Sequence, residues 1–344
     1  MNARQLWFVE PAKVEIREQP LPPPGRGQVL LKTLYSGISS GTEMLAYRGQ
    51  LPDSMALDES LAAYAQQPVS YPLQYGYASV GRIEQTGAEV DSAWQGRTVF
   101  AFLPHASHHL CTVDALVPLP ENMNPKSAVF LANMETAVSL VQDGNPRLGE
   151  RVLMLGQGVV GLLVSSLLAR FPLGGLYAVE GIDGRRVAAE QAGVSATFSP
   201  DIEPDMTALS ETLAPQQPRG GADLVFELSG APAALNLAVD LCAYSGRIVV
   251  GSWYGNKRAE INLGERFHRN RISIVSSQVS TIAPSLSGRW DKARRFALAW
   301  EMIKKCQPEQ FISHCLPFAE AADAYRLLDT SPEQALQVIF DYQD

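Results

Sequence analysis

The sequence predicts an α/β protein with two domains, a small β-rich domain and a doubly wound parallel sheet. The chain has 344 residues, 46% of them hydrophobic, which is more than a single hydrophobic core usually holds. Short β-like runs fill its first third, and strand-like and helix-like runs alternate through its middle. Alternation of this kind is typical of parallel strands joined by crossover helices.

The β-rich part begins at the N-terminus. The runs "QVLLKTLY", "ASVGRIEQTG" and "RTVFAFL" resemble strands, and Pro and Gly clusters such as "PLPPPGRG" separate them. The middle part then gives "RVLMLG", "VVGLLVSSLLAR", "GLYAVE" and "RRVAAEQAG", which predict strand, helix, strand and helix. Near the C-terminus, "DKARRFALAWEMIKKC" has helical periodicity and "ALQVIFDY" is typical of a closing strand.

The strongest motif is "VLMLGQGVVGLL", in which Gly156, Gly158 and Gly161 are spaced G-x-G-x-x-G between a strand and a helix. The first glycine allows a tight turn, the second a close approach of the backbone to a pyrophosphate, and the third close packing of helix on strand. Val159 and Val160 begin the helix, where free N–H groups and the positive end of the helix dipole favour phosphates. The motif predicts a dinucleotide-binding site.

The residue that selects the cofactor is predicted at the end of the next strand. Glu180 follows the run "GLYAV" and lies 19 residues beyond Gly161, close to the usual spacing of about 20. A carboxylate there accepts hydrogen bonds from the ribose hydroxyls and repels a 2′-phosphate, so NAD is predicted in preference to NADP. Arg185 and Arg186 keep NADP open, because an arginine near the ribose can recruit that phosphate. A solvated glutamate at the strand end is the alternative.

Composition restricts the partners. The formal net charge is −8, which argues against nucleic acid and anionic membranes, because both favour basic patches. A small-molecule substrate is expected instead. The N-terminal run has no signal architecture and no apolar stretch approaches ~18 residues, so a cytoplasmic location is expected. The four cysteines are scattered without a C-x-x-C pair, which predicts reduced thiols.

Several motifs together make the chain similar to the medium-chain dehydrogenase/reductase superfamily over nearly its whole length. They are "YSGISSGTE", "YGYASVGRIEQTGAEV", "GRTVFAF", "GQGVVG", "DLVFELSGAPAAL", "SGRIVVGSW" and "AADAYRLL" with "ALQVIFDY". The resemblance implies a GroES-like catalytic domain, residues 1–125 completed by 280–344, and a Rossmann domain, residues 126–279. It also implies a homodimer or homotetramer. Locally, "SGISSGTE" and "YRGQLP" resemble the branch that contains bacteriochlorophyllide dehydrogenase, but this does not assign the substrate.

Zinc-dependent members of that superfamily hold the metal with a Cys in a G-x-C-G-T-D turn, with a G-H-E triplet, and with a Cys or acidic residue before the Rossmann domain. Zinc needs donors of these types. The aligned positions here hold Ser40, Tyr77 with Ala78, and Ala132 or Asn133. The four-cysteine structural-zinc lobe is also absent. No metal is therefore expected.

Other donors could replace the missing ligands only with a suitable local fold. The candidates are Glu43, Glu135 and the histidines of "PHASHH", which are His105, His108 and His109. None matches a ligand position of the superfamily. The three histidines are instead expected at the surface or in a cleft, with His105 nearest the substrate.

Without zinc, the substrate oxygen must be stabilised or protonated by other groups, such as hydroxyl donors. Four residues are predicted to surround it: Ser40, Thr42, Glu43 and Tyr77. The resemblance aligns Thr42 with the hydroxyl of the zinc relatives' proton relay, and we expect Tyr77 or Ser40 to bond the oxygen with Thr42 assisting. Alternatively, Tyr77 merely fills the volume left by the metal.

The resemblance assigns further residues. Thr136 matches a position near the nicotinamide, Ser229 a turn that approaches the cofactor riboses, and Ser252 a position near the carboxamide. The long segment before "YPLQYGY" is expected to shape substrate access through Tyr47, Arg48 and Tyr64, because binding residues concentrate on loops.

Three functions stay open from the sequence. The first is a zinc-independent, NAD(H)-dependent dehydrogenase or reductase that interconverts an alcohol and a carbonyl. The second is an NAD(P)H-dependent reductase of an activated C=C bond or a quinone; such relatives mostly prefer NADPH, so Glu180 counts against it. The third is a non-catalytic protein that binds a nucleotide as a signal.

Overall fold

The computed structural model describes residues 1–52, 56–57, 61, 64–213 and 220–343. They form two compact units, Met1–Ala132 with Gln307–Asp344, and Asn133–Cys306. The first unit is β-rich and the second is a parallel α/β sheet, so the predicted fold class is confirmed. Within the described residues, no helix is long and apolar enough to cross a membrane.

The strands are, in chain order, β1 (Asn2–Glu10), β2 (Lys13–Pro20), β3 (Gln28–Gly37), β4 (Ser79–Thr86), β5 (Thr98–Ala101), β6 (His108–Thr112), β7 (Leu116–Pro118), β8 (Arg151–Leu155), β9 (Gly175–Val179), β10 (Ala196–Phe198), β11 (Ala222–Glu227), β12 (Cys242–Val250), β13 (Ser273–Ser276), β14 (Ile312–Pro317) and β15 (Gln337–Asp341). The helices are α1 (Glu43–Tyr47), α2 (Pro125–Ala128), α3 (Leu131–Gly144), α4 (Val159–Leu168), α5 (Asp183–Gln191), α6 (Glu203–Leu213), α7 (Ala234–Leu241), α8 (Arg266–Arg269), α9 (Lys292–Cys306) and α10 (Ala321–Thr330).

The main sheet of the first unit joins the two ends of the chain. Its strand order is β14-β15-β3-β4-β5-β7, with β6 also paired to β3. The C-terminal strand β15 pairs antiparallel with β3, with Ile339 opposite Gly37. One core of this unit packs α1 and α10 around Phe8, Tyr325 and Phe340. This core lies next to the turn that follows β3.

The second unit is built on one parallel sheet with the order β10-β9-β8-β11-β12-β13. This is the strand order of a Rossmann fold, in which the first strand, here β8, lies in the middle beside the fourth. Leu153 and Leu155 of β8, Val225 of β11 and Ile248 of β12 form the core with the flanking helices. Ligands of such sheets bind where the order reverses, at the carboxyl ends of the strands. Here that point lies between β8 and β11.

Along the chain, the observed boundaries between the two units fall at 132/133 and 306/307. The boundaries predicted from the sequence were 125/126 and 279/280. The larger difference concerns α9. Its buried face, which includes Ala299 and Trp300, belongs to the second unit, where α9 packs against α4. Arg295 of α9 is also buried, and its guanidinium lies 2.8 Å from the Glu135 carboxylate of α3. These contacts place residues 280–306 in the second unit.

Candidate active site

Three hydroxyl groups meet at the turn after β3, and we call Ser39, Thr42 and Tyr77 the hydroxyl cluster. The Tyr77 hydroxyl donates to Ser39 Oγ and also lies 3.3 Å from Thr42 Oγ1. Thr42 is the N-cap residue of α1, yet its side chain caps no backbone N–H. Tyr77 is half-buried, with its ring against Tyr75. The structure therefore brings Tyr77 and Thr42 together, as expected.

The serine in this cluster is Ser39, which the sequence reasoning missed. Ser40 is half-buried, and its side chain forms no hydrogen bond with the described part of the chain. Both serines lie in the turn "SGISSGTE", so the sequence indicated that a serine would lie near Tyr77 but not which one. Which of them turns toward Tyr77 depends on the backbone of the turn.

Glu43 lies beneath this turn and is 0% exposed. Its Oε1 accepts the backbone N–H of Ser39 at 2.7 Å. Its Oε2 accepts from His105 Nε2 at 2.9 Å and from the Tyr325 hydroxyl. A carboxylate held by three donors and closed off from solvent orients the turn rather than touching a substrate. Glu43 was predicted to lie beside the substrate oxygen; its carboxylate instead lies buried beneath the turn.

His105 is also 0% exposed, so its expected place at the surface or in a cleft is wrong. Its Nδ1 lies 2.7 Å from Ser36 Oγ, which lies 2.8 Å from the Tyr342 hydroxyl. Space for the ring comes from Gly76, which has φ +116°; a Cβ there would lie 2.7 Å from the imidazole. The Glu43 carboxylate compensates for the burial of a polar ring.

The two tyrosines of this network keep their protons at neutral pH. Burial, followed by the charge of Glu43, raises the pKa of Tyr325. Burial also raises the pKa of Tyr342. Both phenols are therefore available as hydrogen-bond donors to the buried acceptors beside them.

Burial favours the neutral form of His108 and His109. Burial lowers the pKa of His109 to about 4, and burial also lowers the pKa of His108. His109 is 8% exposed, so its expected position at the surface or in a cleft is also wrong.

The donor set of the first unit does not fit zinc. The aligned ligand positions hold a hydroxyl, a phenol and a methyl group, at Ser40, Tyr77 and Ala78. Glu43 and His105 are bonded to each other and to neighbouring side chains. In the part of the chain that the structure describes, no group of three or more His, Cys, Asp or Glu side chains is arranged to hold a metal. Because zinc requires such donors, no step of the chemistry is assigned to a metal.

Two tyrosines of the long segment before the triplet that were predicted to line an access route are buried instead. Tyr47 and Tyr64 are 6% and 1% exposed and belong to the core, so their predicted role is wrong. Arg48 is exposed and pairs with Asp329 at 2.6 Å, and its place at an access route stays a prediction. Residues 53–55, 58–60 and 62–63 of that segment lie outside the described residues.

The glycine loop of the second unit has the predicted geometry. Gly156 has φ +94°, and a Cβ there would lie 2.7 Å from Ser229 Cα. A Cβ on Gly161 would lie 2.3 Å from the Gly156 carbonyl oxygen, whereas a Cβ on Gly158 would meet nothing within 4 Å. Val159 and Val160 are the first residues of α4, where N–H groups lack partners within the helix. The open space at Gly158, in front of these donors, fits a pyrophosphate.

Glu180 follows β9 and is tied to the glycine loop. Its Oε2 accepts the Gln157 N–H at 2.7 Å and its Oε1 accepts the Ile182 N–H at 3.0 Å. Further lone pairs of the carboxylate remain for ribose hydroxyls. Arg185 lies half-buried at the start of α5, while the adjacent Arg186 donates to the Glu180 carbonyl oxygen at 2.8 Å.

Ser229 and Ser252 come together around Glu227, a residue that the sequence reasoning missed. Glu227 ends β11 and is 0% exposed. It accepts from the N–H and hydroxyl of Ser229 and from the Tyr254 hydroxyl at 2.5 Å. Ser252 Oγ accepts the Gly230 N–H at 2.9 Å. Glu227 thus joins the loops after β11 and β12. An acidic side chain at the end of an otherwise apolar strand is the sequence feature that could have identified Glu227.

Thr136 lies half-buried on α3. The adjacent Glu135 binds Lys292 at 2.7 Å and Arg295 at 2.8 Å. The position of Thr136 near a nicotinamide stays a prediction.

Comparison with known proteins matches residues 159–299 to the family model described as zinc-binding dehydrogenase. The chain is 26% identical over 328 residues to D-guloside 3-dehydrogenase of Escherichia coli (strain K12), covering 90% of this chain and 92% of that protein. It is 21% identical to sorbitol dehydrogenase of Halalkalibacterium halodurans, covering 94% of each.

Solved structures have the same fold. An Escherichia coli CFT073 protein described as a short chain alcohol dehydrogenase (rspB), solved with NADH, has a TM-score of 0.79 and 20% identity, covering 99% of each chain. The 2R,3R-butanediol dehydrogenase of Bacillus subtilis has a TM-score of 0.78 and 16% identity, covering 98% of this chain and 99% of that one.

Proposed function

This chain belongs to the medium-chain dehydrogenase/reductase superfamily, and on that premise we propose that it is a zinc-independent oxidoreductase acting on an alcohol or carbonyl with NAD(H). The observation that carries the proposal is the hydroxyl cluster. It occupies the turn and the triplet in which zinc relatives hold their metal, and it offers a half-exposed phenol. The names of the curated relatives support oxidoreduction on an alcohol.

Tyr77 is the proposed catalytic residue. With a substrate bound, the Tyr77 hydroxyl turns from Ser39 Oγ and donates to the substrate oxygen, which stabilises the negative charge that develops there during reduction. Ser39 and Thr42 hold the phenolic oxygen in place, and Glu43 fixes Ser39 through its backbone N–H. When bound, the nicotinamide cofactor gives or takes the hydride.

The glycine loop and Glu180 are proposed to hold that cofactor. Gly158 leaves room for the pyrophosphate, the N–H groups of Val159 and Val160 face it, and Glu180 accepts from the ribose. The NADH in the rspB structure supports this assignment. NADP stays the alternative cofactor. A solved structure described as a zinc-binding dehydrogenase of Sinorhizobium meliloti was bound to NADP, and Arg185 at the start of α5 offers a cation for a 2′-phosphate.

Cofactor titration tests this assignment. We expect NADH to bind about tenfold or more tightly than NADPH, a difference of about 1.4 kcal/mol, because the Glu180 carboxylate repels a 2′-phosphate. Nicotinamide fluorescence measures both affinities. Glu180→Gln removes the charge and should narrow the difference. Tighter binding of NADPH by the wild-type protein would contradict the assignment.

A substrate screen tests the reaction class. Alcohols, ketones, enones and quinones should be offered with both cofactors, beginning with polyols and sugars because of the relatives' names. Turnover of secondary alcohols or ketones supports the proposal. Turnover restricted to enones or quinones favours the C=C reductase, and tight cofactor binding without turnover favours a non-catalytic role.

We also propose that the chain forms a homodimer or homotetramer through β13. All four residues of this edge strand are exposed, including Ile274 at 37% and Val275 at 43%. An exposed apolar strand edge favours pairing with another chain. We expect Val275→Lys to yield monomers in sedimentation experiments, whereas Val187→Lys, at an exposed position on α5, keeps the wild-type assembly. A monomeric wild-type protein would contradict this assignment.

A further inference from the structure

A polar cavity of about 350 Å³ opens in the first unit, where β6 contacts both β1 and β3. Three of the residues that line it have basic side chains and are half-buried: Arg4 on β1, Lys32 on β3 and His108 on β6. The volume falls within the range of small-molecule sites, about 300–1,000 Å³. In the part of the chain that the structure describes, no residue of the hydroxyl cluster lines this cavity, so it is separate from the candidate active site.

Backbone hydrogen bonds fix the positions of these basic residues. Lys32 lies directly opposite His108 in the pairing of β3 with β6. Ser107, just before β6, joins the other two strands: its N–H donates to the Arg4 carbonyl oxygen at 2.8 Å, and its carbonyl oxygen accepts the Thr33 N–H at 2.9 Å. The Arg4 N–H in turn donates to Ser107 Oγ at 2.9 Å. Because three strands hold the lining residues, their arrangement exists before a ligand arrives.

The positive charges act on the same small volume. Burial lowers the pKa of His108; the charges of Lys32 and Arg4 lower this pKa further, whereas the Glu84 carboxylate opposes them. Burial raises the pKa of Tyr342, which also lines the cavity, and the charge of Arg4 opposes that rise. In a chain whose formal net charge is −8, two half-buried cations around one cavity make a local positive field that attracts an anion.

Two carboxylates lie near these cations, and both are exposed. Glu18 lines the cavity and accepts from the Asn2 side-chain amide at 3.2 Å. Glu84 lies 3.7 Å from the Lys32 ammonium and 3.8 Å from His108 Nε2. Exposed ion pairs of this kind contribute only about 0–1 kcal/mol, because solvent screens the charges. An anion inside the cavity can therefore compete with Glu84 for the Lys32 ammonium.

Buried hydroxyl groups complete the lining, on Thr33, Ser107 and Tyr342. The Thr33 hydroxyl already donates its proton to the Ala106 carbonyl oxygen at 2.6 Å. A hydroxyl oxygen has two lone pairs, so it can accept while its own proton is donated elsewhere. The hydroxyl oxygens therefore suit a ligand that brings hydroxyl donors of its own, while the two cations bind its anionic group.

We propose that this cavity binds a small polyhydroxylated organic anion, with a carboxylate or phosphate as its charged group. The Arg4 guanidinium has five N–H donors in a planar fork that fits either group, so it binds the anion beside the contacts it already has. The Lys32 ammonium adds a second charge, and the buried hydroxyl oxygens accept from the hydroxyl groups of the ligand. The site is independent of the proposed function, because binding there needs neither the nicotinamide cofactor nor turnover.

A titration followed at His108 tests the proposal at the cavity itself. The chain has five histidines, and in the full chain labelled with ¹⁵N-histidine the His108 signal is assigned by its loss in His108→Gln. D-Gluconate and D-glucose 6-phosphate carry both a charged group and hydroxyls, whereas acetate has only the charge and D-glucose only the hydroxyls. We expect at least one of the two sugar anions to shift the His108 signal saturably and to bind about tenfold or more tightly than acetate or D-glucose. The tighter of the two identifies the preferred charged group.

Arg4→Gln should weaken binding of the preferred sugar anion by about tenfold or more. Arg26→Gln is the matched control, because Arg26 is an exposed arginine of the same unit that pairs with Glu89 outside the cavity; it should keep the wild-type affinity. Lys32→Gln should weaken binding in the same direction, which keeps the proposal testable if Arg4→Gln does not fold. No saturable shift with either sugar anion, equal affinity for acetate or D-glucose, or equal weakening in Arg26→Gln would overturn the proposal.

Discussion

Tyr77→Phe is expected to lower kcat for alcohol–carbonyl interconversion by about tenfold or more, while the affinity for NADH stays unchanged. The substitution keeps the ring and its contact with Tyr75 and removes only the hydroxyl that bonds Ser39 and Thr42. Steady-state kinetics and a fluorescence titration of NADH measure the two quantities on the same preparation.

The matched control is Tyr71→Phe, which removes a hydroxyl donated to the Ala46 carbonyl oxygen and should leave kcat near the wild-type value. An unchanged kcat in Tyr77→Phe would show that the ring only fills the volume that zinc relatives use for their metal. Loss of NADH affinity in this variant would indicate a change in fold rather than in chemistry.

Gly158→Ala is expected to weaken cofactor binding by about tenfold or more without changing the thermal stability. A Cβ at this position meets no protein atom within 4 Å, so the fold has room for it. The new methyl group would instead occupy the space in which the backbone approaches the pyrophosphate. Tm without ligand and Kd for NADH measure the two effects separately.

Gly288→Ala is the control, because a Cβ there also meets nothing within 4 Å and the residue lies far along the chain from the glycine loop. It should change neither Tm nor Kd. Wild-type affinity in Gly158→Ala would mean that the pyrophosphate does not lie against this residue. By contrast, Gly156→Ala should lower Tm, since its Cβ would lie 2.7 Å from Ser229 Cα.

Features that depend on local chain geometry could be predicted from the sequence. The three glycines have distinct steric requirements, and the structure places each as the motif predicts: a positive φ at Gly156, open space at Gly158 and close packing at Gly161. The alternation of strands and helices likewise gave the parallel sheet. The side of the domain boundary on which α9 falls could not be predicted, because an amphipathic helix does not specify what covers its apolar face.

The buried network illustrates what the sequence could not supply. Glu43 was identified in the catalytic turn, but its partner His105 is 62 positions away and Tyr325 is 282 positions away. Tyr325 reaches Glu43 because α10 packs against α1, and His105 reaches it from the loop between β5 and β6, whose strand β6 pairs with β3. A histidine beside a motif therefore indicated a cleft residue, whereas the fold buries it and gives it a carboxylate.

We propose that hydroxyl groups take the place of zinc in this enzyme. The most direct measurement is turnover of protein treated with a zinc chelator, with the zinc content determined on the same sample. We predict NAD(H)-dependent interconversion of alcohol and carbonyl at the untreated rate, with zinc far below one ion per chain. Loss of activity on chelation and its recovery on adding zinc would contradict the account.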